Sequence, residues 1–119
     1  MIFYGYRPCS TCRDALQFLR CRGVEFVQKE IRETPPSPAE LAFALRRCGG
    51  ERKKLFNTAG AEFRAMGLKD QLDTMDESSL FSLIQQQGNL CKRPFLIDET
   101  KGIALVGFDE GAWQTALGC

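Results

Sequence analysis

Cys9 and Cys12 stand three residues apart in the stretch Tyr6-Arg7-Pro8-Cys9-Ser10-Thr11-Cys12-Arg13. Two thiols at that spacing can exchange with a disulfide in sequence. One attacks, a mixed disulfide forms, and the second thiol resolves it. An apolar run at residues 2–6 precedes the pair, and Cys12, Ala15, Leu16 and Leu19 then repeat at i, i+3, i+4 and i+7, the face of an amphipathic helix. The stretch therefore reads as strand, turn, C-x-x-C, helix, with Cys9 at the helix N-terminus and Cys12 one turn in. An unperturbed thiol, with a pKa of about 8.5, is only a few per cent ionised at pH 7. Unpaired N–H groups and the positive end of a helix dipole favour the thiolate. Arg7 and Arg13 are expected to add positive charge. Cys9, the more exposed of the two, is the expected nucleophile and Cys12 the resolving thiol.

The elements around the pair follow from pattern. Arg22-Gly23 ends the first helix, with glycine in a stop position. Residues 24–27 read as a second strand, so the opening is a βαβ unit with parallel pairing and a right-handed crossover. A C-x-x-C beside such a unit points to a thioredoxin-like redox domain. Ser37, Pro38 and Glu40 form an N-terminal cap signature. A helix over about 38–47 follows, with Leu41, Ala44, Leu45 and Cys48 inward. Gly49-Gly50 reads as its stop, or else as an exposed functional loop. Residues 51–54 read as a solvated charged run. A short helix over 61–66 ends at Gly67. Asp73 and Asp76 offer caps for a further helix whose stripe is Leu80, Leu83 and Ile84 and whose end is Gly88. Residues 93–97 and 103–106 form a β-hairpin. A last helix, about 109–117, is expected to bury Ala112, Trp113, Ala116 and Leu117. The expected fold is α/β and thioredoxin-like, βαβ…ββα, with a mixed four-stranded sheet. It forms a single domain, 1–119, in which about 38–88 is a helical insertion.

Composition narrows the chemistry. At 119 residues, 44% hydrophobic and 26% charged, the chain can bury one core without staples. A net charge of +1 gives no reason for direct nucleic-acid or membrane binding. The sequence has no histidine, so neither a Cys-His nor a Ser-His pair can be built. Among six cysteines there is no second close pair, which argues against a four-cysteine zinc site, and the length and the missing signal pattern argue against three structural disulfides. Cys21, Cys48, Cys91 and Cys119 read as single buried or incidental thiols. With no signal-peptide pattern and no run of about 20 apolar residues, the expected location is cytoplasmic.

Pro8-Cys9-x-x-Cys12-Arg13, Glu33-Thr34-Pro35-Pro36-Ser37, Phe63-Arg64-x-x-Gly67-Leu68, Lys92-Arg93-Pro94 and Val106-Gly107-Phe108 occur in order along the chain. As an ordered set they resemble the arsenate reductase/Spx family. The resemblance implies a thioredoxin-like fold, a cis-proline at Pro94 and a nucleophilic cysteine at Cys9. It also implies an anion held by arginines. Arg93 matches one of these, whereas Asn57 stands in place of the second and Gly107 in place of the third. Ser10, Thr11, Arg13, Asn57 and Pro94 would line the substrate site. The reductant would be glutathione, glutaredoxin or thioredoxin, with no bound cofactor or metal.

Three functions fit these readings. One is an arsenate-reductase-like thiol–disulfide oxidoreductase carried by Cys9, Cys12 and Arg93. Another is an Spx-like redox-sensing regulator that meets the carboxy-terminal domain of the RNA polymerase α subunit, with Gly49 or Gly50 in the contact surface. The third is a glutaredoxin-coupled arsenate reductase.

Overall fold

The computed structural model describes residues 1–118. Strand β1 (Ile2–Gly5) leads through the cysteine loop into α1 (Ser10–Cys21), and the chain returns as β2 (Val27–Glu30). Helix α2 (Pro38–Arg47), a 3₁₀ turn (Arg52–Leu55), α3 (Ala61–Ala65) and α4 (Glu77–Gln86) form the insertion. After a second 3₁₀ turn (Gly88–Leu90) come β3 (Phe95–Asp98), β4 (Ile103–Val106) and α5 (Glu110–Leu117). The sheet order is β2-β1-β3-β4, with β1 and β2 parallel and the other two pairs antiparallel. This is the mixed four-stranded thioredoxin-like arrangement expected from the sequence.

Strand alternation divides the core into two halves. Tyr4, Phe95 and Ile97 face the insertion, where they pack with Ile31, Leu41, Leu55, Phe56, Leu80 and Ile84. Phe3 and Leu96 face the opposite way, onto Cys12, Ala15, Leu19 and Trp113 of α1 and α5. The Trp113 indole N–H donates to the Gly107 carbonyl at 3.0 Å, and its ring meets Phe108 edge-on at 5.0 Å. The sheet is thus sandwiched between helices, and the cysteine helix lies on the face away from the insertion.

Local signals set most boundaries. Ser37 and Glu40 form the reciprocal cap at α2, worth about 1 kcal/mol in such helices. The same Glu40 carboxylate accepts from the Tyr4 hydroxyl at 2.7 Å, tying the insertion to β1. Asp76 caps α4, and Gly67 follows α3 with a φ of +60°. Gly49 and Gly50 have φ of +70° and +80° directly after α2, the geometry of a helix stop.

Several expectations change. The second strand lies three residues later than 24–27. The α1 end holds Val24, whose N–H donates to the Leu19 carbonyl, and pairing with β1 begins only at Val27, which donates to Met1. Val24 and Phe26 cover the α1 core as loop residues. The run at 51–54 is not wholly solvated, because Arg52 donates to the Leu72 and Met75 carbonyls and closes the loop before α4. Leu83 is only partly buried, and Phe81 takes the core position instead. In α5 only Trp113 is buried, whereas Ala112 and Ala116 are exposed and Leu117 is partly covered. Cys48 is the half-buried C-cap of α2 rather than an inward core residue. Among the described residues, no helix is long and apolar enough to cross a membrane.

Gly88 also differs from its expected part. It does not end α4 through a positive φ. It is buried against the backbone of 31–32, where a Cβ would overlap the Ile31 carbonyl oxygen and lie 2.9 Å from Arg32 Cα. Gly88→Ala should therefore destabilise the fold by about 1–3 kcal/mol through overpacking. A drop in the thermal midpoint of several degrees, followed by circular dichroism, is the expected result, and an unchanged midpoint would refute the close approach.

Candidate active site

Cys9 is the N-cap of α1. Its extended backbone (φ −79°, ψ 117°) turns its sulfur onto the helix end, where it accepts from the Cys12 N–H at 3.4 Å. The loop before it is closed by the Cys9 N–H donating to the Tyr6 carbonyl at 2.9 Å. The Tyr6 N–H in turn donates to Cys12 Sγ at 3.5 Å. The residue directly after β1 thus holds both cysteines through its backbone. Cys9 is half-buried and Cys12 is 2% exposed, so only one of the two sulfurs is open to a substrate.

This difference in burial separates the two thiols chemically. Partial burial alone would push Cys9 up. Hydrogen bonds from the Cys12 thiol and N–H, the Arg93 charge and the Thr11 N–H outweigh it and bring Cys9 below the ordinary thiol range. Deeper burial pushes Cys12 up to about 12, partly offset by the Tyr6 N–H and reinforced by the neighbouring Cys9 sulfur. The pair is therefore one thiolate and one thiol, with the thiol donating to the thiolate.

Arg93 reaches the site from the segment before β3. Its guanidinium lies 4.9 Å from the centre of the Tyr6 ring and donates to the Asn89 carbonyl at 3.3 Å. The Arg93–Pro94 peptide bond is cis. The flanking arginines do not act as expected: Arg7 and Arg13 are exposed, and the charge that favours the Cys9 thiolate is that of Arg93. Ser10 and Thr11 are exposed in the first turn of α1, and Thr11 contributes its N–H to Cys9. Asn57 is half-buried. The Phe56–Cys91 bridge and the Asn57 N–H donating to the Leu90 carbonyl at 2.8 Å lay its segment beside the one leading to Arg93. At Gly107 a Cβ would lie 2.8 Å from Lys92 Cε, so the Lys92 chain fills the space where a longer side chain would start.

Sequence reasoning misses two residues of the site. Tyr6 carries Arg93 on its ring and accepts from Arg32 Nη1 at its hydroxyl, 2.6 Å away. Arg32 itself sits 5.0 Å from the ring centre. With Arg7, Pro8, Glu30 and Glu33 they line a cleft of about 530 Å³ beside the cysteine loop, and one Glu30 carboxylate oxygen is buried without a hydrogen-bond partner. An aromatic residue shortly before the cysteines is visible in the sequence, but nothing local marks Arg32. Of the other described cysteines, Cys91 is fully buried, which pushes its thiol up to about 12, Cys48 is pushed up by burial as well, and Cys21 is exposed. All five described cysteines are free thiols, and Cys119 lies outside the described residues.

Residues 4–116 match the model of the ArsC family. The Bacillus subtilis (strain 168) protein YusI is 38% identical over 114 residues, 96% of this chain and 95% of that one. The crystal structure of a possible arsenate reductase from Streptococcus mutans UA159 shares 36% identity at a TM-score of 0.81, covering 90% of this chain and 89% of that one. The global transcriptional regulator Spx of Bacillus subtilis (strain 168) is 28% identical over 107 residues, 90% of this chain and 79% of that protein.

Alkylation should read the asymmetry of the pair directly. With iodoacetamide, labelling of Cys9 should rise with pH through a midpoint below that of free cysteine, while Cys12 stays unlabelled at neutral pH. Arg93→Ala should move the Cys9 midpoint upward and slow labelling at pH 7 a few-fold. Mass spectrometry of tryptic peptides across a pH series measures both. Equal labelling of the two cysteines would refute the assignment.

Proposed function

Because the chain belongs to the ArsC family, we propose that it is an arsenate-reductase-like thiol–disulfide oxidoreductase, with Cys9 as nucleophile and Cys12 as resolving thiol. The observation that carries this reading is the split between a lowered, accessible Cys9 and a raised, buried Cys12 within one helical turn. In the first step the Cys9 thiolate attacks one sulfur of a substrate disulfide. The S–S bond breaks and the other half leaves as a thiolate, which takes up a proton. The adduct consumes the charge on Cys9. The repulsion and the hydrogen bond that helped hold Cys12 protonated disappear with it. Cys12 then loses its proton and attacks Cys9 Sγ, expelling the second half and closing a Cys9–Cys12 disulfide. An external thiol, whether glutathione, glutaredoxin or thioredoxin, returns two electrons. The two protein sulfurs and that thiol suffice, so the reaction calls for no bound cofactor.

In this reading Arg93 orients an anionic group next to the reacting sulfurs, and Ser10, Thr11, Arg13, Asn57 and Pro94 border the substrate. A disulfide is favoured over arsenate as substrate by the missing guanidinium groups at Asn57 and Gly107. Charge-assisted contacts of that kind are worth about 1.5–3 kcal/mol each.

A second reading is a redox-sensing regulator that binds the carboxy-terminal domain of the RNA polymerase α subunit. It draws on the likeness to Spx over 90% of the chain. It also draws on the exposed Gly49-Gly50 turn after α2. In that case the Cys9–Cys12 disulfide is the signal and Arg93 senses it.

Turnover of a small disulfide with glutathione or a dithiol should disappear in Cys9→Ser. Cys12→Ser should instead accumulate a mixed disulfide at Cys9, visible as a mass increase. No turnover by the wild-type protein across such a panel would sink the oxidoreductase reading. Pull-down with that polymerase domain, before and after peroxide, tests the regulator: retention supports it, and no retention in either state removes it.

A further inference from the structure

We propose that a basic groove on the helical insertion docks an acidic segment of a protein whose disulfide is exchanged at Cys9. This rests on the oxidoreductase reading and names its substrate class. The groove has a volume of about 530 Å³, and Lys53, Lys54, Arg64, Lys69 and Lys92 line it with no acidic residue among them. All five are exposed. Lys54 meets Glu51 at 3.6 Å across solvent, and among the described residues the other four have no carboxylate partner. The whole chain carries +1, so with these five cations set aside the remainder is acidic by four charges. Five cations and no carboxylate along one lining make the cleft locally positive, an arrangement that raises the encounter rate with anions.

Position connects the groove to the chemistry. The Lys92 N–H donates to the Leu55 carbonyl at 2.8 Å, which fixes one wall against the 3₁₀ turn that carries Lys53 and Lys54. Lys92 immediately precedes Arg93, whose charge acts on Cys9. One wall of the groove is thus continuous along the backbone with the residue whose charge acts on the reacting sulfur.

The lining also selects the kind of anion. The floor is Phe63 and Leu68, which are 3% and 4% exposed. Phe63 is packed against Phe56 at 5.9 Å and offers no free face on which a base could stack, as a nucleic-acid strand requires. The cations stand on separate segments around the cleft and present side chains rather than converging backbone N–H groups, so they suit carboxylates distributed along a peptide. In the exchange, the Cys9 thiolate breaks the partner's S–S bond and the distal partner sulfur leaves as a thiolate. Cys12 then displaces the proximal sulfur. The partner gains two electrons and two protons, and this chain is left with a Cys9–Cys12 disulfide that a dithiol reductant reopens.

The test uses the full chain, dithiothreitol as reductant and three substrates. Two are cystine peptides that differ only in carrying aspartates or lysines beside the disulfide, and the third is bis(2-hydroxyethyl) disulfide. At low salt, kcat/KM for the acidic peptide should exceed that for the basic one by about tenfold, and the difference should collapse at high salt. Arg64→Glu with Lys69→Glu should remove the preference and leave hydroxyethyl disulfide turnover unchanged. The comparison of peptides and salt on the wild-type protein stands even if that variant fails to fold. Equal rates for the two peptides, with the small disulfide still turned over, overturn the docking proposal and leave the redox reading intact. No turnover of any of the three fails the redox reading and the docking with it. Single-stranded DNA that displaces the acidic peptide at lower concentration than the peptide itself binds would overturn the proposal in favour of a nucleic-acid site.

Discussion

The backbone of Tyr6 holds two sulfurs in unequal surroundings, and the chemistry of the site descends from that inequality. Its carbonyl anchors the Cys9 N–H and its N–H reaches Cys12 Sγ, so the cysteine loop is clamped at the point where β1 gives way to α1. A helix N-terminus can stabilise one anion well, because its unpaired N–H groups converge on one small region. Cys9 occupies that region. Cys12, one turn along, is pressed into the core against Phe3 and Leu96, where charge is costly. Neither thiol alone would give one lowered, accessible sulfur beside one raised, buried sulfur. The pair does, because each sulfur shifts the other in the opposite direction.

The architecture on either side of the sheet serves this arrangement differently. On the α1 face, Trp113 and Phe108 close over Phe18 and hold the cysteine helix against β1 and β3. On the other face the insertion is bound through Tyr4 and Glu40, a contact in which one carboxylate serves both a helix cap and a strand hydroxyl. The 3₁₀ turns at 52–55 and 88–90 lay the Asn57 segment beside the one leading through Lys92 and Arg93 into β3, which starts at the end of the sheet where β1 runs into the cysteine loop. The cation that acts on Cys9, Arg93, thus comes from the segment between the insertion and β3.

Tyr6 also explains why Arg93, rather than the nearer arginines in sequence, sets the field at Cys9. A guanidinium resting on an aromatic face is held in place and partly shielded from water, which strengthens its action on a nearby thiolate. Arg7 and Arg13 project into solvent, where screening weakens them. Arg32 gives the same ring a second cation and a hydrogen bond at its hydroxyl, so the site's positive charge is organised around one aromatic side chain.

Much of this is written in local sequence. The C-x-x-C at a helix start, the Ser37–Glu40 cap, the limits of α2 and the closing hairpin depend on interactions within a few residues, and local pattern is enough to specify them. The start of β2 is not legible there, because Val27-Gln28-Lys29-Glu30 shows no buried alternation and the strand begins where the Met1 carbonyl accepts from it. The part played by Gly88 is hidden too, because its need for a small side chain comes from Ile31 and Arg32, more than fifty residues earlier. The same holds at the site. The identity of the two sulfurs follows from sequence, whereas their burial, the choice of Arg93 over Arg7 and Arg13, and the recruitment of Arg32 through Tyr6 follow from which distant segments the sheet brings together. Charge and solvent exclusion act through space, and only the folded chain sets those distances.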